Sequence, residues 1–136
     1  LTPAMLDIFH QWIVDKNAKN ITLKQADVLD LENLPWDWKE YDLIVSEGML
    51  EYLPKDKVPQ ALCNLKQLLK GDGKLLVFIT RRNIVTKLLV ERWWKANIYD
   101  EKEVKQIFQD TGFGEFRFKS FSTMWLNSTI VVEAKR

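Results

Sequence analysis

The run Tyr41-Asp42-Leu43-Ile44-Val45-Ser46-Glu47-Gly48-Met49-Leu50-Glu51-Tyr52-Leu53 decides how the rest of the chain is read. Tyr41–Ser46 predicts a strand, and its apolar centre suits a sheet covered on both faces. Glu47 to Leu53 then predicts a short turn or helix before Pro54. Asp56 can cap the helix that follows, in which Val58, Ala61, Leu62, Leu65, Leu68 and Leu69 share one face. Gly71 is expected to end that helix in the left-handed conformation, with Asp72-Gly73 making the turn. Lys74-Leu75-Leu76-Val77-Phe78-Ile79-Thr80 is the second strand of the unit and the strongest strand pattern in the sequence.

The same periodicities extend in both directions. Upstream, Thr2-Pro3 starts a helix with Met5, Leu6, Phe9, Trp12 and Ile13 on one face. Ile21-Thr22-Leu23-Lys24-Gln25-Ala26 alternates as a strand and ends at Asp27. Val28 to Lys39 is an acidic, tryptophan-bearing loop broken by Pro35. Downstream, Asn83 can cap a helix whose apolar residues are Ile84, Val85, Leu88, Leu89, Trp93 and Trp94, with the tryptophans expected inside. Tyr99-Asp100 starts another, with Val104, Ile107 and Phe108 inward and Thr111-Gly112-Phe113 closing it. Phe116, Phe118 and Phe121 alternate loosely, and Ser128 to Ala134 is a clear strand. Helices and strands alternate until residue 113 and then two strands follow directly, which predicts an α/β sheet with a C-terminal antiparallel pair.

Composition narrows the field further. A chain of 136 residues, 46% apolar and 12% aromatic, can bury one core, so residues 1–136 are read as a single domain. Twenty basic against 19 acidic residues give a net charge of +1, which offers no general attraction to nucleic acid or membrane. Cys63 is the only cysteine, so no internal disulfide can form and a reducing, cytoplasmic setting is expected. His10 is the only histidine, leaving no metal-ligand cluster and little scope for a Ser-His-Asp or Cys-His site. Asp27, Asp30 and Glu32 do not by spacing alone make a cation shell, so no metal is expected. No apolar run reaches the roughly 18 residues a membrane span needs.

The order of elements resembles the class I S-adenosylmethionine-dependent methyltransferase family, a Rossmann-like fold with helices on both faces of the sheet. Four segments carry the likeness. Leu1-Thr2-Pro3-Ala4-Met5-Leu6 is similar to the start of the helix after that family's second strand. Gln25-Ala26-Asp27-Val28-Leu29-Asp30-Leu31 resembles the end of its third strand. Tyr41 to Leu53 resembles the fourth strand and its loop, and Leu68 to Val77 the turn into the fifth strand. The family's glycine-rich first loop and the acid ending its second strand have no counterpart, and only five glycines occur in the chain. The resemblance therefore implies an N-terminally incomplete sheet. With the family's strand order, residues 21–26 would stand two places from 41–46, about 14 Å away and beyond hydrogen-bond reach. The missing strands are expected upstream, another chain filling the gap or a direct pairing of 21–26 with 41–46 being the alternatives.

The resemblance also assigns candidate roles. Asp27 would accept from the adenine amino group of S-adenosyl-L-methionine, with Val28 packed on the ring. Ser46, Glu47 and Gly48 would border the cofactor's sulfonium. Met49 and Trp93 would touch a small-molecule methyl acceptor, and Glu51 and Tyr52 are weaker candidates for moving a proton. Methyl transfer from a sulfonium expels a neutral leaving group, so positioning and exclusion of water matter more than a loud catalytic motif. Residues 81–95 carry a local charge of +4 beside Trp93-Trp94, and that segment often helps roof the substrate in this family. Two readings stand side by side: a methyltransferase that this chain represents incompletely, or a non-catalytic domain of the same fold.

Overall fold

The computed structural model describes residues 2–120 and 128–136, in two compact units, Leu1–Leu34 and Pro35–Arg136. In the first, helix α1 spans Pro3–Asp15, with Pro3 in its first turn, where a missing N–H costs nothing. Asn17 takes φ of 50°, and the Ala18 amide reaches back to the Ile13 carbonyl at 3.0 Å, which closes the helix. No residue of α1 is fully buried, and of its apolar stripe Leu6 and Ile13 are half-buried while Met5, Phe9 and Trp12 are exposed. Residues 21–26 form no strand, contrary to the alternation of their sequence. A strand exists only as part of a ladder, and none of the described strand pairings includes residues 21–26.

The second unit is a four-stranded sheet in the order β1-β2-β4-β3, with β1 at Tyr41–Glu47, β2 at Leu69–Thr80, β3 at Glu115–Lys119 and β4 at Thr129–Lys135. β1 and β2 are parallel, while β4 runs antiparallel to both β2 and β3. The register sets Ser46 beside Val77 and Val77 beside Val132, so Ile44, Leu75, Ile79, Ile130 and Ala134 share their face. Helices α2 (Val58–Gln67) and α4 (Glu101–Asp110) add Val58, Ala61, Leu62, Val104 and Phe108 to the core, and the segment before α4 adds Ala96, Ile98 and Tyr99. The Phe108 ring stands 5.6 Å from Phe113 and 5.5 Å from Phe116, which locks α4 onto β3. Leu43 and Val45 lie on the opposite face and are each 54% exposed. Among the described residues β1 pairs with β2 alone, which leaves its other side as an edge of the described sheet.

Three local expectations need correction. Asp56 does not cap α2, whose N-cap is Lys57, without a side-chain cap bond. Gly71 does not end α2 in a left-handed conformation; the helix closes at Leu68 with ordinary right-handed angles, and the positive-φ glycines are Gly48 and Gly112. β2 also begins earlier than its apolar run, at Leu69, because residues 70–73 bulge out between the pairs Tyr41–Leu69 and Leu43–Lys74. Gly73 permits that bulge, since a Cβ there would sit 2.6 Å from the Tyr41 carbonyl oxygen.

α4 starts on a reciprocal cap. The Asp100 side chain accepts from the Glu103 amide at 2.9 Å, and the Glu103 carboxylate accepts from the Asp100 amide at 2.8 Å. Asp100→Ala should cost about 1 kcal/mol in urea denaturation. A cost below a few tenths would show that the cap contributes nothing net.

Candidate functional site

Parallel pairing brings the carboxyl ends of β1 and β2 side by side, Glu47 opposite Phe78. The chain leaves β1 through Gly48, whose φ of 61° favours glycine. A short turn, Leu50–Tyr52, then tucks Leu50 and Glu51 inside. Glu51 Oε1 accepts from the Thr80 amide at 2.5 Å and also from the Thr80 hydroxyl. The Glu51 carbonyl accepts from the Asn97 amide at 2.8 Å and from Asn97 Nδ2 at 3.1 Å, and the same Nδ2 donates to the Leu53 carbonyl at 2.7 Å. The Tyr99 amide donates to the Thr80 carbonyl at 3.0 Å. Three segments that follow different elements are thus sewn together around one buried carboxylate.

Beyond this seam lies a cavity of about 290 Å³. Glu47, Gly48, Glu51 and Tyr52 line it from the β1 side, and Phe78 and Thr80 from β2. Its third wall is the helical segment after β2, α3 at Ile84–Thr86 continued by a π-helical stretch, Lys87–Glu91. Asn83 caps this segment, accepting from the Thr86 amide at 2.9 Å as its sequence suggested. Thr86 is buried and donates through Oγ1 to the Arg81 carbonyl at 2.6 Å, and Val90 and Trp94 face the cavity. A second concavity, of about 430 Å³, sits among Gly114, Arg117, Glu133 and Lys135 on the hairpin. It lies level with Lys74–Leu76, the amino end of β2, and Arg117 and Glu133 there pair with each other. Ligands of open parallel sheets bind beyond the carboxyl ends of strands, so the smaller cavity is the candidate.

The residues singled out from sequence fall in different places. Glu47, Gly48, Glu51 and Tyr52 meet at the cavity, and Ser46 lies just behind them, buried, its Oγ without a hydrogen-bond partner among the described residues. Met49 is half-buried before the turn and outside the cavity wall. Trp94 lines the cavity, whereas Trp93 points away and is 75% exposed. The expectation of buried tryptophans in this segment therefore does not hold, since Trp94 is also largely exposed. Asp27 and Val28 belong to the first unit, where Asp27 Oδ1 accepts from the Leu29 amide at 2.9 Å. Phe78, Thr80 and Asn97 had not been singled out. The end of a parallel strand flags the first two, but nothing in the sequence around Asn97 announces its contacts.

The electrostatics also differ from the sequence count. Arg81 pairs with Glu101 at 2.6 Å, and Arg82 reaches Asp100 at 3.3 Å and Glu103 at 2.9 Å. Two of the segment's five cations are thus matched by acids of α4. Burial pushes the Tyr99 hydroxyl up to about 12, helped by the charges of Glu103 and Glu51. A raised phenol contributes stability that is complete below its ordinary value near 10.0 and fades as pH climbs toward about 12. The hydroxyl is buried without a hydrogen-bond partner among the described residues. Tyr99→Phe should therefore cost under about 1 kcal/mol at pH 7 and flatten the alkaline loss of stability. Denaturation curves at pH 7, 9 and 11 check this; an unchanged alkaline slope would remove Tyr99 from it.

The model of a family described as a methyltransferase domain matches residues 1–73, over half of the chain. The chain belongs to that methyltransferase-domain family. None of the curated proteins compared matches it. Among solved structures it is similar to a possible exported protein from Bordetella parapertussis, at 18% identity and TM-score 0.75, covering 99% of this chain and 51% of that one. An O-methyltransferase family protein from Burkholderia thailandensis superposes with TM-score 0.75 at 14% identity, covering 98% of this chain and 41% of its own. The magnesium protoporphyrin IX methyltransferase of Synechocystis PCC 6803 with bound SAM gives TM-score 0.66 at 17% identity, covering 99% and 56%. The chain thus spans about half the length of the structures it matches, and at these identities the likeness is one of fold.

Proposed function

We propose that the complete protein transfers a methyl group from S-adenosyl-L-methionine to a small-molecule acceptor held in the cavity between the β1 loop, the end of β2 and the segment 84–94. The observation that carries this reading is the cavity itself, open at the carboxyl ends of two parallel strands in a methyltransferase-domain chain. The residues present fit part of the cofactor. Ser46 offers a buried hydroxyl with no hydrogen-bond partner among the described residues, and Gly48 leaves the backbone bare at the mouth of the cavity. Ser46, Glu47 and Gly48 would border the sulfonium, and Asp27 and Val28 would take the adenine. When bound, the cofactor supplies an electrophilic methyl on a sulfur that leaves as a neutral thioether.

The chain's own residues position and enclose. Tyr52, Phe78 and Trp94 give the acceptor an aromatic wall, and Val90 closes its apolar side. Glu51 has one carboxylate oxygen engaged by two donors from Thr80, which suits holding the loop better than carrying a proton. The exposed edge and outer face of β1 support completion of the sheet by an upstream segment or another chain, without which residues 1–136 would bind cofactor poorly.

In the full-length enzyme, Trp94→Ala should raise the acceptor KM or lower turnover by about tenfold, in line with one lost aromatic contact, while cofactor affinity holds. Trp93→Ala should leave both within about twofold. Steady-state kinetics beside a cofactor titration decide it. Equal losses in turnover and cofactor affinity that follow a fall in melting temperature would make Trp94 a packing residue and remove the cavity from acceptor binding.

A further inference from the structure

The segment 84–94 turns its apolar side outward. Thr86, Val90 and Trp94 face the body of the unit, whereas Ile84, Val85, Leu88, Leu89 and Trp93 are all exposed, Ile84 at 90%. A surface helix of a globular protein has the opposite arrangement, with polar residues at the water. Five large apolar side chains within ten residues make the kind of patch that marks an interaction surface. The same segment exposes Lys87, Arg92 and Lys95, and among the described residues none of these three has an ion-pair partner. Arg81 and Arg82, just before it, pair with acids, so among the described residues the cations of 81–95 without an ion-pair partner lie beside the apolar face.

Charge and side-chain type choose the partner. Leucine, isoleucine and tryptophan beside lysine and arginine suit the boundary between headgroups and acyl chains, where apolar groups enter the lipid and cations stay with phosphates. We propose that this face docks on the surface of an anionic membrane, the helical segment lying flat in the interface. Among the described residues no helix is long and apolar enough to cross a membrane, so docking means lying on the surface rather than spanning it. The cavity shares this segment as its wall, so docking would place it next to the lipid. The proposal does not depend on methyl transfer.

The full-length protein is sedimented with vesicles of equal phosphatidylglycerol and phosphatidylcholine, and with vesicles of phosphatidylcholine alone. Binding to the anionic vesicles and release by high salt are expected. The double substitution Leu88→Ser, Trp93→Ser should reduce vesicle partition at least about tenfold. Lys87→Glu with Arg92→Glu should do the same for anionic vesicles only. All four side chains are exposed, so melting temperatures should hold and show that both variants fold. No sedimentation with either vesicle, or equal partition of wild type and both variants, overturns the proposal. So does a dimer, seen by light scattering, that the Leu88/Trp93 variant dissociates without any vesicle binding by the wild type, because a second copy would then cover the face.

Discussion

Glu51→Ala is expected to be the most damaging single substitution around the cavity, lowering stability by about 2–4 kcal/mol. The magnitude follows from what the substitution strands. The Thr80 amide and hydroxyl both donate to Glu51 Oε1, and Glu51 is 5% exposed, so water cannot readily take the carboxylate's place. Glu51→Gln keeps one carbonyl acceptor and should lose about half as much. Asn97→Ala should act on the same seam from the other side, because it removes the Nδ2 donor from the carbonyls of Glu51 and Leu53. Urea denaturation of the three variants checks the order. A loss below about 0.5 kcal/mol for Glu51→Ala would mean that the seam does not hold the site together.

Gly73→Val should be nearly as severe, at about 2–4 kcal/mol, for a reason that is steric rather than polar. A Cβ at residue 73 would meet the Tyr41 carbonyl oxygen at 2.6 Å, the Lys70 amide nitrogen at 3.0 Å and the Leu69 Cβ at 3.1 Å. All three belong to the paired backbone at the start of β1 and β2 or lie against it, so the bulge must open or the register must slip. Gly71 lies two residues away in the same bulge and has nothing within 4 Å of its would-be Cβ. Gly71→Ala should therefore change stability by less than about 0.5 kcal/mol. Equal effects at the two glycines would contradict the placement of the bulge.

How much of this was legible in the sequence depends on whether a feature is local. The parallel pair β1 and β2, the helix between them and the terminal hairpin follow from period-two and period-3.6 patterns in Tyr41–Ser46, Val58–Leu69, Lys74–Thr80 and Ser128–Ala134. The cap at Asn83 and the helix start at Asp100 were legible because a cap is a contact between residues three apart, whereas Asp56 has the residue type of a cap but makes no cap bond to α2. Residues 21–26 show the limit of such patterns. Their alternation is that of a strand, yet strand formation depends on a neighbour that no local pattern can supply. Gly71 misled for a related reason: a glycine after an apolar helical run usually ends it, but here β2 claims residues 69–73 for the bulge over Tyr41. The helical spacing of Ile84, Val85, Leu88, Leu89 and Trp93 identified a face, but the tryptophans expected inside are largely exposed, because periodicity does not say which side meets the core. That Glu47, Gly48, Glu51 and Tyr52 line the candidate cavity follows from their place after a parallel strand. Asn97 was not, because its partners lie more than forty residues earlier in the chain.

The account rests on a cofactor that meets the carboxyl ends of this sheet. Calorimetric titration of S-adenosylhomocysteine into the full-length protein tests that claim most directly, with Asp27→Ala and the isolated chain 1–136 titrated alongside. The full-length protein should bind in the micromolar range, roughly −8 kcal/mol. Asp27→Ala should weaken that binding by about 1–3 kcal/mol, as for a lost buried acceptor, and the isolated chain should give no measurable heat. A full-length protein that fails to bind while folded would contradict the account.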